Sequence, residues 1–479
     1  MVDTGENRRL LKNTFIIAIG SIGAKAISFI LLPLYTSILT SNEYGDYDYI
    51  ITVTSFVIPI ITLSMQEAIF RYLIDENNES EFRNVISNAF FIQLVGCILF
   101  IIIAYVISLF ININYLLVMI LCSITTSFSG FTLKILRGLG KLKVYSIISF
   151  LGSLVLLVTN VITITLLHMG INGLFFALVL SNIFIIIAVS MKINLFAYIK
   201  FKFINPLKMK DMLKYSIPLI PNTLSTQILA LSDRLIIKQS IGSSANGIYT
   251  VSNKFPSIIE VVYHYFYLAW CESAARVYNK EKSTSCSYYN ELYKTIKRFM
   301  FSSVIVIIAC MPILFRILVK GNYTSAFFYV PLLMLGIYFN STGRYLSGIF
   351  TAYKDTKQVA TSTFITAAIN ISINILLVPQ YGLYMAAASN LLSNYLLVFI
   401  RTIMLKKYIK FSSDFKFQVS AILITAVTLL LYNYDNWKYI ICGIIITSIY
   451  FIVVNIPLIS TLKLFIKRKI MMRKTPQNL

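Results

Sequence analysis

Lys25, Asp233, Arg234, Lys254 and Glu260 are five charged residues that stand inside long apolar runs of this 479-residue chain. A charge at membrane depth is costly, so each is expected to face a partner or a polar path. Three of the five are cations, which can give charge-assisted hydrogen bonds to a phosphate-class anion. Lys25, Arg234 and Lys254 are therefore the candidate substrate-binding residues. Asp233 and Glu260 are the candidate coupling residues, able to take a proton or a sodium ion. A plain ion pair, with Asp233 neutralising Lys254, is the structural alternative. Tyr249, Tyr263, Tyr265 and Tyr267 share the same stretch. Their rings suit stacking against sugars or packing between helices.

Other motifs are less specific. Glu67 and Arg71 are spaced i,i+4, which predicts an ion pair on one helix face at the cytoplasmic mouth of the path. Asp46-x-Asp48 has the form of a glycosyltransferase metal pair, but the sequence offers no further metal ligand beside it. The stretch Arg137-Gly-Leu-Gly140-Lys141 lacks the spacing of a phosphate-binding loop. Six scattered cysteines show no paired spacing for disulfides or a metal. Asn370 and Asn374, then Asn390 and Asn394, are each four apart and suit hydrogen bonds between helices. No nucleophile–base constellation is evident, so the chain reads as a non-enzyme with no cofactor and no metal.

Membrane helices must position these residues. The chain is 57% hydrophobic and 13% charged, which argues against a soluble domain. Apolar runs recur from Thr14 to Thr461 and, at roughly 20 residues per crossing, predict about fourteen helices. Twelve is the alternative count, because 326–343 and 417–432 are the weakest runs. The expected fold class is an all-α polytopic membrane protein. Residues 1–192 would form an N-terminal bundle of helices one to six, and 193–214 a cytoplasmic linker. Residues 215–410 would form a C-terminal bundle of helices seven to twelve, and 411–479 two further helices and a basic cytoplasmic tail. Segment 40–48 reads as the first outer loop. Segments near 192–214 and 271–298 read as the longest loops.

The net charge of +23 raises the possibility of a nucleic-acid partner, but its distribution speaks against one. Alternate loops hold 35 of the 42 lysines and arginines, Arg344 and Arg401 counted among them. That is the positive-inside pattern, which places both termini in the cytoplasm and favours anionic membrane lipids as neighbours. An internal repeat is also present. Leu10-Leu11-Lys12 recurs as Met212-Leu213-Lys214 and Gly45-x-Tyr47 as Gly247-x-Tyr249, both at an offset of 202 residues. Both copies start on the same membrane side, so the bundles are expected to be parallel repeats with the substrate site between them.

The segments Leu10-Leu-Lys-Asn-Thr14, Leu39-Thr-Ser-Asn-Glu-Tyr-Gly45, Glu67-Ala-Ile-Phe-Arg71, Leu136-Arg-Gly-Leu-Gly-Lys141, Ser232-Asp-Arg-Leu-Ile-Ile237 and Gly247-Ile-Tyr249 fall in a familiar order. Together they resemble polysaccharide and O-antigen repeat-unit flippases of the Wzx type, in the multidrug/oligosaccharidyl-lipid/polysaccharide (MOP) exporter superfamily, over residues 8–460. The resemblance implies two six-helix bundles, a V-shaped cationic cavity and two extra helices. It implies export of an undecaprenyl-diphosphate-linked oligosaccharide across the cytoplasmic membrane, for capsule or O-antigen, beside a polysaccharide polymerase. Lys25 falls where the related lipid II flippases carry an arginine, and a lysine cannot give the same bidentate grip on phosphate. A drug/cation antiporter of the same fold would call for acids in excess. A membrane glycan polymerase or glycosyltransferase would call for a sizeable outer catalytic loop. The sequence offers neither.

Overall fold

The computed structural model describes residues 23, 27, 29–76, 78–111, 114–280, 282–409, 411–412 and 414–460. Every regular element among them is helical. The main helices are α1 (Leu32–Ile38), α2 (Ser41–Ile61), α3 (Met65–Asp75), α4 (Glu79–Ser108), α5 (Leu116–Gly138), α6 (Leu142–Val161), α7 (Gly170–Ile193), α8 (Pro206–Ser216), α9 (Ile220–Ser240), α10 (Ser243–Lys280), α11 (Lys282–Leu318), α12 (Val330–Ala352), α13 (Thr356–Tyr381), α14 (Leu383–Leu405), α15 (Phe415–Tyr432) and α16 (Trp437–Val454). Among the described residues 10 helices are long and apolar enough to cross a membrane, or 11 if the bent pair α2–α3 is one span. The chain is an all-α polytopic membrane protein. The expected fourteen differs from this count at three places. The first run lies largely outside the described residues, and α9 and α10 are helical but do not pass the same test of apolarity.

Three boundaries depart from expectation, each for a local reason. The supposed outer loop at 40–48 is mostly the first turns of α2. Thr40 Oγ1 accepts from Glu43 N at 3.2 Å, while Thr40 N donates to Glu43 Oε2 at 2.9 Å. This capping box satisfies the first orphan N–H groups and starts the helix seven residues early. The second run, expected to be continuous, breaks by 54° between α2 and α3. Leu63 and Ser64 sit there at φ 48° and 52°, left-handed values that are strained for non-glycine residues. The supposed long loop at 271–298 is helical over 271–280 and 282–298, because α10 and α11 continue well past their apolar cores.

The chain divides into two compact units, one reaching Val251 and including Lys320–Tyr323, the other comprising Ser252–Val319 and the rest. In the first unit α2 packs against α9 and the start of α10. Gly45 and Gly247, the repeat-related pair, make this crossing possible. A Cβ on Gly45 would lie 1.8 Å from the Ser243 carbonyl oxygen, and one on Gly247 would lie 2.0 Å from that of Ser41. Ser41 and Ser243 are themselves 202 positions apart, so the contact is reciprocal, as a two-fold relation between the repeat copies would make it. Ser41 and Ser244 hydroxyls bridge the same crossing at 2.6 Å. Elsewhere in this unit Met65, Ile69, Val85, Phe131, Ile135 and Val189 form a dry core. The linker is fastened to α4: Asn88 Nδ2 donates to Phe203 O, and Asn205 N to Asn88 Oδ1.

In the second unit Trp270 of α10 stacks on Tyr345 of α12 at 4.4 Å and donates its indole N–H to the Tyr345 carbonyl at 2.9 Å. Gly348 gives the indole room, since a Cβ there would lie 2.3 Å from Nε1. Asn370, Asn374 and Ser389 form a buried hydrogen-bonded set between α13 and α14. Asn340 donates to Asn394 at 2.9 Å, joining α12 to α14. These amides hold helices together where water is absent. In the turn after α12, Lys407 and Tyr408 donate to Asp355 and hold its carboxyl below the usual carboxylate range. The last two helices are tied to α11 by Arg298–Asp414 at 2.6 Å and by Asn455 Nδ2 to Ser302 Oγ at 2.8 Å.

The glycine crossing leaves no room for a methyl group, because the obstructing atoms are backbone. Gly45→Ala and Gly247→Ala should each destabilise the purified protein by about 1–3 kcal/mol, read as a fall in unfolding midpoint in detergent. Gly443→Ala is the control: its Cβ would meet Leu431 at an ordinary 3.7 Å and should change little.

Candidate functional site

Two sets of facing charged residues stand out among the described residues, one in each unit. In the first unit α9 carries Arg234 and Lys238 one turn apart, facing Asp46 and Asp48 on α2. Arg234 Nε donates to Asp48 Oδ2 at 3.1 Å, and Lys238 Nζ to Asp46 Oδ1 at 2.7 Å. Ser243 Oγ also donates to Asp46 Oδ1, at 2.6 Å. Lys238 lies 4.3 Å from the Tyr49 ring centroid, and the Arg234 guanidinium 5.8 Å from that of Tyr249. The four side chains are 17–30% exposed, so both pairs are shielded but not dry. Two parallel ion pairs thus fix the register of α9 on α2. They engage both carboxylates of Asp46-x-Asp48 with cations of α9.

In the second unit α10 presents Glu260, His264 and Tyr267 along one side, and α12 presents Arg344 to them. Arg344 Nη2 lies 3.0 Å from His264 Nδ1, and Nη1 lies 3.9 Å from Glu260 Oε1. The guanidinium is 5.0 Å from the Tyr267 ring centroid and 5.9 Å from that of Tyr263, within cation–π reach. The Trp270–Tyr345 stack holds this stretch of α12 from one side. On the other, the buried Arg401 of α14 donates to the Gly343 carbonyl at 2.8 Å. Arg401 also donates to Ser362 Oγ at 3.0 Å and to Thr363 Oγ1 at 2.9 Å, so its hydrogen bonds go to neutral acceptors. Arg344 is therefore flanked by two anchored residues, Gly343 and Tyr345, and its position is well determined.

The expected site residues are distributed as follows. Lys25 lies outside the described residues. Asp233 is buried on α9 beside Arg234, and Lys254 is half-buried on α10. Arg234 meets Asp48, and Glu260 meets Arg344, partners the sequence reading did not assign. The expected Glu67–Arg71 pair is replaced by two others. Glu67 pairs with Lys134 of α5 at 2.6 Å, and Arg71 pairs with Asp75 one turn on. The reason is packing: α3 lies along α5, which brings Lys134 to Glu67 and leaves Arg71 to the carboxylate ahead of it. His264 and Arg344 were missed. Arg344 and Arg401 look like loop cations because each follows an apolar run, yet both lie inside helices. The clue in the sequence was that apolar residues resume at once after Arg344, from Tyr345 to Phe350.

A family model described as "Polysaccharide biosynthesis protein" matches residues 10–270. Among solved structures, the fold is similar to the lipid II flippase MurJ in an inward closed conformation. The TM-score is 0.73 at 14% identity, over 94% of this chain and 99% of that one. It is also similar to an inward-facing multidrug resistance MATE family transporter of the MOP superfamily. There the TM-score is 0.67 at 13% identity, over 81% of this chain and 95% of that one. A MOP superfamily transporter from Pyrococcus furiosus, described with a binding pocket of reverse polarity, matches at a TM-score of 0.55 and 14% identity, over 83% of this chain and 96% of that one. No curated protein matches. These likenesses assign the MOP fold.

The Asp48–Arg234 pair should behave as a structural lock. Asp48→Asn or Arg234→Gln should cost about 1–3 kcal/mol, between the exposed and buried limits for an ion pair. The exchange Asp48→Arg with Arg234→Asp should recover part of the loss in thermal unfolding of the purified protein. A double variant no better than the two single losses combined would remove the lock.

Proposed function

Because the chain belongs to the polysaccharide biosynthesis protein family, we propose that it is a flippase for a lipid-diphosphate-linked oligosaccharide. Such a substrate carries an anionic headgroup and a hydrophilic glycan, and neither crosses hydrocarbon unaided. The observation that carries the reading is the family match over residues 10–270, on a chain whose fold is that of MOP flippases and transporters. The charge balance fits it. In the sequence, the acids Asp46, Asp48, Asp233 and Glu260 stand against the cations Lys25, Arg234, Lys238, Lys254 and Arg344, four against five. A drug/cation antiporter would call for the opposite balance.

In this proposal Lys25 and Lys254 meet the diphosphate as it crosses by alternating access, and Arg234 joins them when its pair with Asp48 opens. Several moderate contacts, each worth roughly 1.5–3 kcal/mol, allow release where one rigid clamp would not. Asp233 and Glu260 are the groups proposed to bind a coupling proton or sodium ion. The lipid is proposed to be undecaprenyl diphosphate and the product a capsule or O-antigen polysaccharide, handed to a polymerase. The protein is proposed to sit in the cytoplasmic membrane with both termini inside, from its basic loop asymmetry.

Deleting the gene from its host should abolish the surface polysaccharide and cause lipid-linked repeat units to accumulate, with restoration by the wild-type gene. Unchanged surface polysaccharide in the deletion strain would contradict the assignment.

A further inference from the structure

The contact between Arg344 and His264 constrains the state of both groups. A guanidinium carries five donors and no acceptor, and it does not deprotonate in proteins. At 3.0 Å from Arg344 Nη2, His264 Nδ1 must therefore accept, so the ring is neutral with its proton on Nε2. A protonated ring has two donors and no acceptor, so protonation breaks this hydrogen bond and leaves two cations side by side. Glu260 does not offset them fully: it is 55% exposed and its closest approach to Arg344 is 3.9 Å. Tyr263 adds an unused polar group. It is 3% exposed, its ring lies under Arg344, and its hydroxyl has no hydrogen-bond partner among the described residues.

We propose that Arg344 and His264 form an anion site, inside the second unit, that takes up a diphosphate group together with one proton. The proposal rests on the flippase reading and adds to it a pair of residues and a proton. An arriving diphosphate stabilises positive charge on the ring. Protonation turns Nδ1 from acceptor to donor and frees Arg344 Nη2 to donate to the anion. Both residues then give charge-assisted hydrogen bonds to phosphate oxygens. When the proton leaves, Nδ1 accepts from Arg344 again and the anion loses a donor, which favours release. The proton also reduces the net charge that must travel at membrane depth, where each uncompensated charge is costly.

The groups facing His264 determine the sign of the linkage. On α10 these are Glu260 and Tyr265, with the Tyr265 ring centroid 5.7 Å away. On α12 the group is Arg344. A bound anion favours the charged ring against the Arg344 charge. Binding therefore takes up a proton and tightens as pH falls.

The test uses the purified full chain in lipid nanodiscs, titrated calorimetrically with farnesyl diphosphate and with inorganic pyrophosphate at about pH 8 and about pH 6. Two buffers of different ionisation enthalpy report the protons taken up. Wild type should take up about one proton per anion and bind farnesyl diphosphate several-fold tighter at the lower pH, beyond any change seen with His264→Gln. His264→Gln keeps an acceptor for Arg344 but cannot be protonated, so its proton uptake should vanish. Arg344→Gln should weaken binding at least tenfold, with Arg344→Lys intermediate. Tighter binding of farnesyl diphosphate than of pyrophosphate identifies a lipid headgroup, and equal binding a free diphosphate; both support the site. Thermal unfolding of each variant separates lost binding from lost fold. Unchanged proton uptake in His264→Gln, unchanged affinity in folded Arg344→Gln, or no binding of either probe by wild type would overturn the site. If the deletion strain loses its polysaccharide while these variants bind normally, the flippase reading stands without this site. If the strain keeps its polysaccharide while the variants lose binding, the site stands and the flippase reading falls.

Discussion

Charges carried by helices of an apolar bundle have to be neutralised, and in each unit one such set joins two facing helices. In the first unit Arg234 and Lys238 on α9 meet Asp48 and Asp46 on α2. In the second, Arg344 on α12 meets Glu260 and His264 on α10. Each set joins helices far apart in sequence. The two sets differ in how fully they are compensated. The α2–α9 pairs are matched one to one at hydrogen-bonding distance, as suits a structural role. Arg344 has a distant, half-exposed carboxylate and a partner whose acceptor disappears on protonation. A guanidinium held in that way is already oriented, and is available to an incoming anion at little reorganisation cost.

The repeat gives the first set its geometry. Gly45 and Gly247 hold equivalent positions in the two copies, and each backbone occupies the space a side chain would need on the other. Close backbone approach through glycine is a common way for membrane helices to pack, because dispersion and hydrogen bonding must act in place of the hydrophobic effect. Here the approach also brings Ser243 to Asp46 and Asn246 Nδ2 to the Gly45 carbonyl at 2.7 Å. The capping box at Thr40 and Glu43 starts α2 early enough for Asp46 and Asp48 to be helical. Both carboxylates reach cations of the same neighbouring helix.

Much of the fold was legible in the sequence because membrane helices announce themselves by length and apolarity. The runs that became α4 to α7 and α11 to α16 are of this kind. The misreadings occurred where local chemistry outweighed hydropathy. Thr40-Ser-Asn-Glu43 was an available helix-start signal, obscured by its polar composition. The break at Leu63–Ser64 has no sequence mark, since neither residue is glycine and the nearest proline, Pro59, stays within α2. The candidate site was only half legible. Spacing shows which charges lie at depth, but pairing depends on which helices touch. Arg234 could be named from the sequence while Asp48 could not be assigned to it, and Glu260 while Arg344 could not. The Glu67–Arg71 expectation failed for the same reason: i,i+4 spacing permits a pair, and a cation on the neighbouring helix took the carboxylate instead.

The central claim is that this chain moves a lipid-diphosphate-linked oligosaccharide from one leaflet to the other. Reconstitution of the purified full-length protein into sealed vesicles containing undecaprenyl-diphosphate-linked oligosaccharide tests it most directly, with a membrane-impermeant glycosidase added outside. Substrate initially confined to the inner leaflet should become cleavable with time in vesicles that contain the protein, and stay protected in protein-free vesicles. Equal protection in both, with the protein folded and correctly inserted, would contradict the account.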